Sequence, residues 1–185
     1  TLTKTCLSGE KESSESEKDI DQELKWEANI TYDGKFNDSG VYYVDGFTAT
    51  NGATHIMTQE QIDDIEVRAA VGTVYSGQLN KGEDANSGDY HVEPVKDAQD
   101  NITGFRIYFH SAFDSNNYNH VKINYSTTAQ ATIDFDNEPG KTISYTFSNN
   151  ASFNGNDSSG SYEIERTNPV GDKMMSWGVY KEWNN

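Results

Sequence analysis

Hydrophobic and polar side chains alternate with a period of two over most of this chain, as they do in strands that bury one face. "TISYTFSNNASF", residues 142–153, sets Ile143, Tyr145, Phe147, Asn149, Ala151 and Phe153 on one side and Ser144, Thr146, Ser148, Asn150 and Ser152 on the other. "GFRIYFHSAF" sets Phe105, Ile107 and Phe109 against Arg106, Tyr108 and His110, and "NHVKINYSTT" sets Val121, Ile123 and Tyr125 against Lys122 and Asn124. Such runs, separated by clusters of Gly, Asn, Asp and Ser, predict strands near 2–6, 24–32, 40–47, 65–75, 89–94, 104–111, 119–133, 141–153 and 161–166. The spacing is that of an all-β sandwich or barrel. "NG" at Asn51–Gly52 and at Asn154–Gly155 marks tight turns. One helical turn is expected in "TQEQIDDIEV", with Thr58 as the cap and Gln61 answering it. Residues 8–22, "SGEKESSESEKDIDQ", hold a single apolar side chain and read as a mobile loop between the first two strands. The ending "GDKMMSWGVYKEWNN" turns apolar again, with Trp177, Val179 and Trp183 in alternate register. The expected division is one domain over 1–168, with 169–185 as a tail or the start of a following module.

Three positions break the alternation in the same way. Asn149 sits on the apolar side of its strand. "TLTKTC" puts Lys4 between Leu2 and Cys6, and "GVYYVDGF" puts Asp45 in line with Val41, Tyr43 and Phe47. A side-chain amide buried without partners costs about 1–3 kcal/mol, so each misfit needs an answer inside the fold. Two readings meet that need. In the first, Lys4 and Asp45 form a buried ion pair to which Asn149 is hydrogen-bonded, or one of them is exposed after all. In the second, the three react. An amine attacks a carboxamide carbon and expels ammonia if it is neutral, if the carbonyl is polarised and if the two are held in contact. Burial lowers a lysine pKa and raises that of a carboxylic acid, by up to roughly 3–5 units, because low dielectric disfavours charge. A neutral aspartic acid then donates to the amide oxygen and serves the leaving nitrogen. Folding supplies the proximity, which contributes on the order of 7–11 kcal/mol toward the barrier.

Composition narrows the partners. A chain of 185 residues is one ordinary domain, long enough to bury about 70% of its unfolded surface. A net charge of −16 argues against nucleic acid or an anionic membrane surface, since phosphate binding runs on Lys and Arg. No apolar stretch approaches the roughly 20 residues of a membrane span, and no signal peptide is visible, so a soluble fragment with its targeting segment elsewhere is expected. Cys6 is the only cysteine, which excludes an internal disulfide. His55, His91, His110 and His120 are scattered and read as surface or edge residues, with no metal site expected. "DFDNEPG" (Asp134, Asp136, Glu138) and "DANSGD" (Asp84, Asn86, Asp89) could offer oxygen ligands to calcium, but neither has EF-hand spacing, and solvated turns are expected. No GxSxG, phosphate loop or Cys–His arrangement is present.

The segments "TLTKT", "ELKWEANITYDGK", "VYYVDGF", "VKINYSTTA" and "YTFSNNASFNG", in that order, resemble the strands of the second immunoglobulin-like domain of Gram-positive surface adhesins of the collagen-adhesin type. The resemblance runs through most of 2–166. It implies an immunoglobulin-like β-sandwich with at most one short helix, Trp26, Ala28 and Ile30 as core, and an intramolecular isopeptide bond. Lys4 would be the nucleophile, Asn149 the electrophile and Asp45 the acid that promotes the bond, with no cofactor and no multiple-turnover activity. Cys6 departs from the family, whose members often carry glycine there, and Asn150 beside Asn149 offers a second amide that the alternation turns outward. The resemblance further implies a secreted, cell-wall-anchored bacterial surface protein. Its partners would be neighbouring domains of the same protein and a host extracellular-matrix protein such as collagen, with no membrane insertion of this fragment. A matrix- or glycan-binding sandwich without the bond is the alternative. Such a bond would close a loop of nearly the whole chain, worth roughly 4–5 kcal/mol on the chain-entropy argument used for disulfides.

Overall fold

The computed structural model describes residues 1–114 and 117–169. The expected alternation of Trp177, Val179 and Trp183 lies outside the described residues. In chain order the elements are β1 (Leu2–Cys6), β2 (Lys11–Glu15), β3 (Ile20–Thr31), β4 (Tyr43–Ala49), β5 (Thr54–Ile56), α1 (Gln59–Asp63), β6 (Glu66–Val71), β7 (Val74–Gln78), β8 (Tyr90–Lys96), β9 (Ile102–Phe109), α2 (Ser111–Asp114), β10 (His120–Ala131), β11 (Thr142–Phe153) and β12 (Asn156–Thr167). They form two six-stranded sheets. The first runs β1-β3-β10-β6-β7, with β5 also paired to β10, and the second runs β2-β12-β11-β4-β9-β8. The inward side chains of both sheets join in one core, with Trp26, Ala28, Ile30, Val121 and Ile123 from one sheet against Tyr43, Phe105, Ile107 and Phe147 from the other. This is the all-β sandwich that the alternation predicts. Among the described residues no helix is long and apolar enough to cross a membrane.

Local chemistry accounts for the connections. Asn154 and Gly155 both adopt positive φ between β11 and β12, as a two-residue hairpin that follows the strand twist requires. Thr58 caps α1 through Gln61 N, and the Gln61 side chain returns to Thr58 N, so the expected box is complete. The predicted strand 65–75 is two strands folded back at Gly72, where φ is 65°. A second one-turn helix, α2, also appears.

The expectation of a mobile loop at 8–22 is corrected. Lys11–Glu15 pairs in parallel with β12 at the edge of the second sheet, and β3 begins at Ile20. No apolar burial drives this strand. Its backbone completes the edge of β12, while Lys11 reaches Glu163 and Glu165 and Glu12 accepts from Gln22 and Tyr162. A strand exposed on both faces leaves no period-two signature, so hydrophobic patterning passes over it.

Candidate functional site: a polar cluster between the sheets

Each of the three misfits is buried, and each lies where its alternation places it. Lys4 extends from β1, an edge strand of the first sheet; Asp45 and Asn149 come from the adjacent β4 and β11 of the second. Asn149 is 0% exposed and Asp45 1%, and the Lys4 side chain is fully enclosed. Asn150 points outward and accepts a hydrogen bond from Ser159 Oγ at 2.7 Å.

Lys4 Nζ donates to Asp45 Oδ2 at 2.6 Å and to the Tyr43 hydroxyl at 2.9 Å, and also to the Tyr125 hydroxyl. Tyr43 and Tyr125 both donate to Asp45 Oδ2. Asn149 Nδ2 donates to the Tyr125 hydroxyl at 2.6 Å. Lys4 and Asp45 therefore meet directly, and Asn149 joins them through the Tyr125 oxygen. Three donors crowd Asp45 Oδ2, whereas Asp45 Oδ1 and Asn149 Oδ1 are buried acceptors without a donor among the described residues. Each such orphan costs about 1–3 kcal/mol. A proton on Asp45 Oδ1 converts one of the two into a donor.

Electrostatics push in that direction. Burial brings the Lys4 ammonium down to about 8, against the attraction of Asp45. Burial likewise raises the Asp45 carboxyl, against Lys4 and the two phenols. Removal from water thus drives both partners toward neutrality. The neutral amine–acid pair and the ion pair hold the same number of protons, so the reactive form is a tautomer of the resting one and needs no change of pH. Backbone packing brings β4 close to its neighbour at this position: a Cβ on Gly104 of β9 would clash with the Asp45 main-chain carbonyl oxygen, so glycine there lets β4 and β9 close together. Chemically, the cluster offers a nucleophile, an acid and an amide in a dry interior.

No protein-family model matches the chain, and no curated protein matches it. Among solved structures it is similar to the collagen-binding subdomain of the Enterococcus faecalis surface protein ACE, at 13% identity and a TM-score of 0.36 over 90% of this chain and 96% of that one. It is similar to the N-terminal domain of a Streptococcus gordonii adhesin, at 11% identity and a TM-score of 0.45 over 90% of this chain and 32% of that one. A third similarity is to the pilus backbone of Streptococcus pneumoniae, at 14% identity and a TM-score of 0.43 over 82% and 30%. The chain thus spans about a third of the length of the latter two.

Sequence reasoning missed the two phenols and a histidine. Tyr43 and Tyr125 were legible as inward residues; the missed signal is that a buried hydroxyl itself demands a partner, and Tyr43 stands two positions from Asp45. His55, expected at the surface or an edge, is 3% exposed. It lies on β5, whose three residues are too few to display a period. The remaining histidines are less scattered than their spacing suggests: His91 Nδ1, on β8, and His110 Nε2, just past the end of β9, lie 2.7 Å apart, and His120 Nδ1 lies 3.0 Å from Thr31 Oγ1. The carboxylates weighed for calcium serve turns. Asp134 Oδ1 accepts from Asp136 N, Lys141 bridges Asp136 and Glu138, Asp84 caps Asn86 N, and Asp89 caps Asn80 N.

Proposed function

We propose that this domain is a module of a bacterial cell-surface adhesin or stalk, stabilised by an autocatalytic isopeptide bond between Lys4 and Asn149 that Asp45 promotes. The observation that carries the reading is the convergence of an amine, a carboxyl and a carboxamide on one phenol hydroxyl between two sheets, with amine and acid both driven toward neutrality. The Lys4 nitrogen attacks Asn149 Cγ, Asp45 donates to the amide oxygen as charge develops there, and ammonia leaves. Each molecule reacts once, so there is no multiple-turnover activity.

The mechanical consequence supports the surface role. The bond joins β1, at the start of the first sheet, to β11, next to the last strand of the second. Tension applied at the two ends of the domain would pass through it, bypassing the strands between. A disulfide of similar span would do the same but could be reduced.

Intact mass tests the reading. The wild-type chain is expected to be lighter by one ammonia, and Lys4→Ala and Asn149→Ala are expected at full mass. Asp45→Ala is expected to fold and stay unlinked. A folded wild-type chain of unmodified mass sinks the proposal.

A second reading, a module that binds host matrix such as collagen, has one observation in its favour. A groove of about 560 Å³ crosses the outer face of the first sheet beneath α1, lined by Glu23, Lys25, Glu60, Asp64, Glu66 and Asn124 among others. Four carboxylates there suit a ligand with basic side chains. Solid-phase binding to immobilised collagen, lost on Glu60→Lys with Glu66→Lys, is the expected result under this reading, and equal binding of both proteins removes it.

A further inference from the structure

The Tyr125 hydroxyl makes more contacts than a buried phenol needs. It accepts from Lys4 Nζ, accepts from Asn149 Nδ2 at 2.6 Å and donates to Asp45 Oδ2. Tyr43 also touches Lys4 and Asp45, both at 2.9 Å, but its hydrogen bonds do not extend to Asn149. Of the two phenols it is Tyr125, on β10 of the first sheet, that bridges the attacking nitrogen and the nitrogen that must leave. Its ring is held from the second sheet by Phe105, edge-on with centroids 5.0 Å apart, and by Phe47 at 6.4 Å.

The cross-link needs a proton moved between those two nitrogens. After Lys4 Nζ adds to Asn149 Cγ, the incoming nitrogen carries one proton too many and Nδ2 one too few to depart as ammonia. In the planar amide the Nδ2 lone pair is conjugated with the carbonyl, and Nδ2 can only donate, as it does to Tyr125. Once Cγ is tetrahedral that pair is free to accept. Direct transfer between two nitrogens on one carbon would pass through a strained four-membered ring. A hydroxyl spanning both relaxes this to a six-membered one.

We propose that Tyr125 is a catalytic residue of the cross-linking step, relaying a proton from Lys4 Nζ to Asn149 Nδ2 while Asp45 serves the carbonyl oxygen; this rests on the isopeptide reading above. The Nζ–Cγ bond forms and the Cγ–Nδ2 bond breaks. Tyr125 gives its hydroxyl proton to Nδ2, receives one from Nζ and ends unchanged. Asp45 lends and recovers its proton. The products are a secondary amide and ammonia, with no water, oxidant or cofactor consumed. Burial beside Asp45 holds the phenol well above its ordinary pKa, so the two transfers through it are coupled and no free phenolate forms.

The test is the time course of ammonia loss, read by intact mass on the full chain made by cell-free synthesis. Positioned acid–base catalysis contributes on the order of 10²–10⁴ in rate, so Tyr125→Phe is expected to lengthen the half-time roughly a hundredfold at unchanged far-UV circular dichroism. Tyr90→Phe, at a buried tyrosine of β8 outside the cluster, is expected to stay within about threefold of wild type. A Tyr125→Phe half-time equal to wild type overturns the assignment, and so does equal slowing by Tyr90→Phe. Fluorinated tyrosines at 125 keep the shape and change only the acidity of the hydroxyl. A rate that follows that acidity supports the relay, and an unchanged rate overturns it even if Tyr125→Phe fails to fold. If wild type itself never loses ammonia, the isopeptide reading falls first, which is a different outcome from a linked Tyr125→Phe.

Discussion

Two polar clusters lie in the same core and both tie one sheet to the other, yet they are finished differently. Around His55 every recorded partner fits. Its Nδ1 faces the carbonyl oxygens of Ser148 at 3.0 Å and Thr48 at 3.2 Å, so Nδ1 carries the proton and donates. Its Nε2 then accepts from Thr127 Oγ1 at 2.6 Å, and that hydroxyl accepts in turn from Trp26 Nε1 at 2.8 Å. Around Lys4 the same kind of burial leaves Asp45 Oδ1 and Asn149 Oδ1 without donors and both members of the ion pair shifted toward neutrality. A buried network whose donors and acceptors all match specifies a shape. One that is short of donors, with an amine and a carboxamide sharing a hydroxyl, leaves two buried acceptors still to be answered.

The largest effect is expected from breaking the second cluster. Lys4→Met keeps the apolar stem, removes the nucleophile and lets Asp45 go neutral. Relative to linked wild type it should lose about 4–5 kcal/mol, the entropy of a loop spanning most of the chain. Guanidinium unfolding measures this, and a loss under about 1 kcal/mol would place the cluster beside His55 as shape-holding only.

Acid should act on the first cluster. Burial brings His55 down to about 4 from its ordinary 6.5, with Lys4 adding to the shift and the two carbonyls opposing it. Between those values the unfolded imidazole is protonated and the folded one is not, so the unfolded state binds more protons and stability falls as pH drops. At about 1.4 kcal/mol per unit the whole window is worth roughly 3 kcal/mol. Carboxylic acids as a class ionise near this range, so the expected observable is a difference: the wild-type stability curve from pH 6.5 to 4 should be steeper than that of His55→Gln by about that amount. Parallel curves would mean that His55 is already charged in the fold.

How much of this was legible depended on strand length. The strands β10 and β11, at twelve residues each, show enough alternation to place Asn149 inward beside an outward Asn150, and the structure agrees. Even five-residue β1 placed Lys4 correctly, because Leu2 and Cys6 flank it in register. The three residues of β5 cannot show a period, which hid His55, and β2 buries no apolar face at all. The meeting of Lys4 with Asp45 was legible as a coincidence of misfit types. That it runs through Tyr43 and Tyr125 was not, since a tyrosine on an inward face satisfies the hydrophobic pattern whether or not its hydroxyl is used.

The smallest expected effect draws the sharpest line. Asn149 and Asn150 are neighbours on β11 with the same amide, and a register slip of one residue would exchange their faces. The register is held by pairing with β12 from Thr142↔Thr167 to Phe153↔Asn156 and, on the other edge, by Asn149↔Phe47 and Ala151↔Asp45 with β4. A slip would also turn Tyr145, Phe147, Ala151 and Phe153 out of the core. Asn150→Ala, which removes only the exposed bond from Ser159, should therefore change stability by no more than about 0.5 kcal/mol and leave the loss of ammonia complete. If instead Asn150→Ala blocks the linkage while Asn149→Ala permits it, the inward amide is a bystander and the electrophile lies on the outer face.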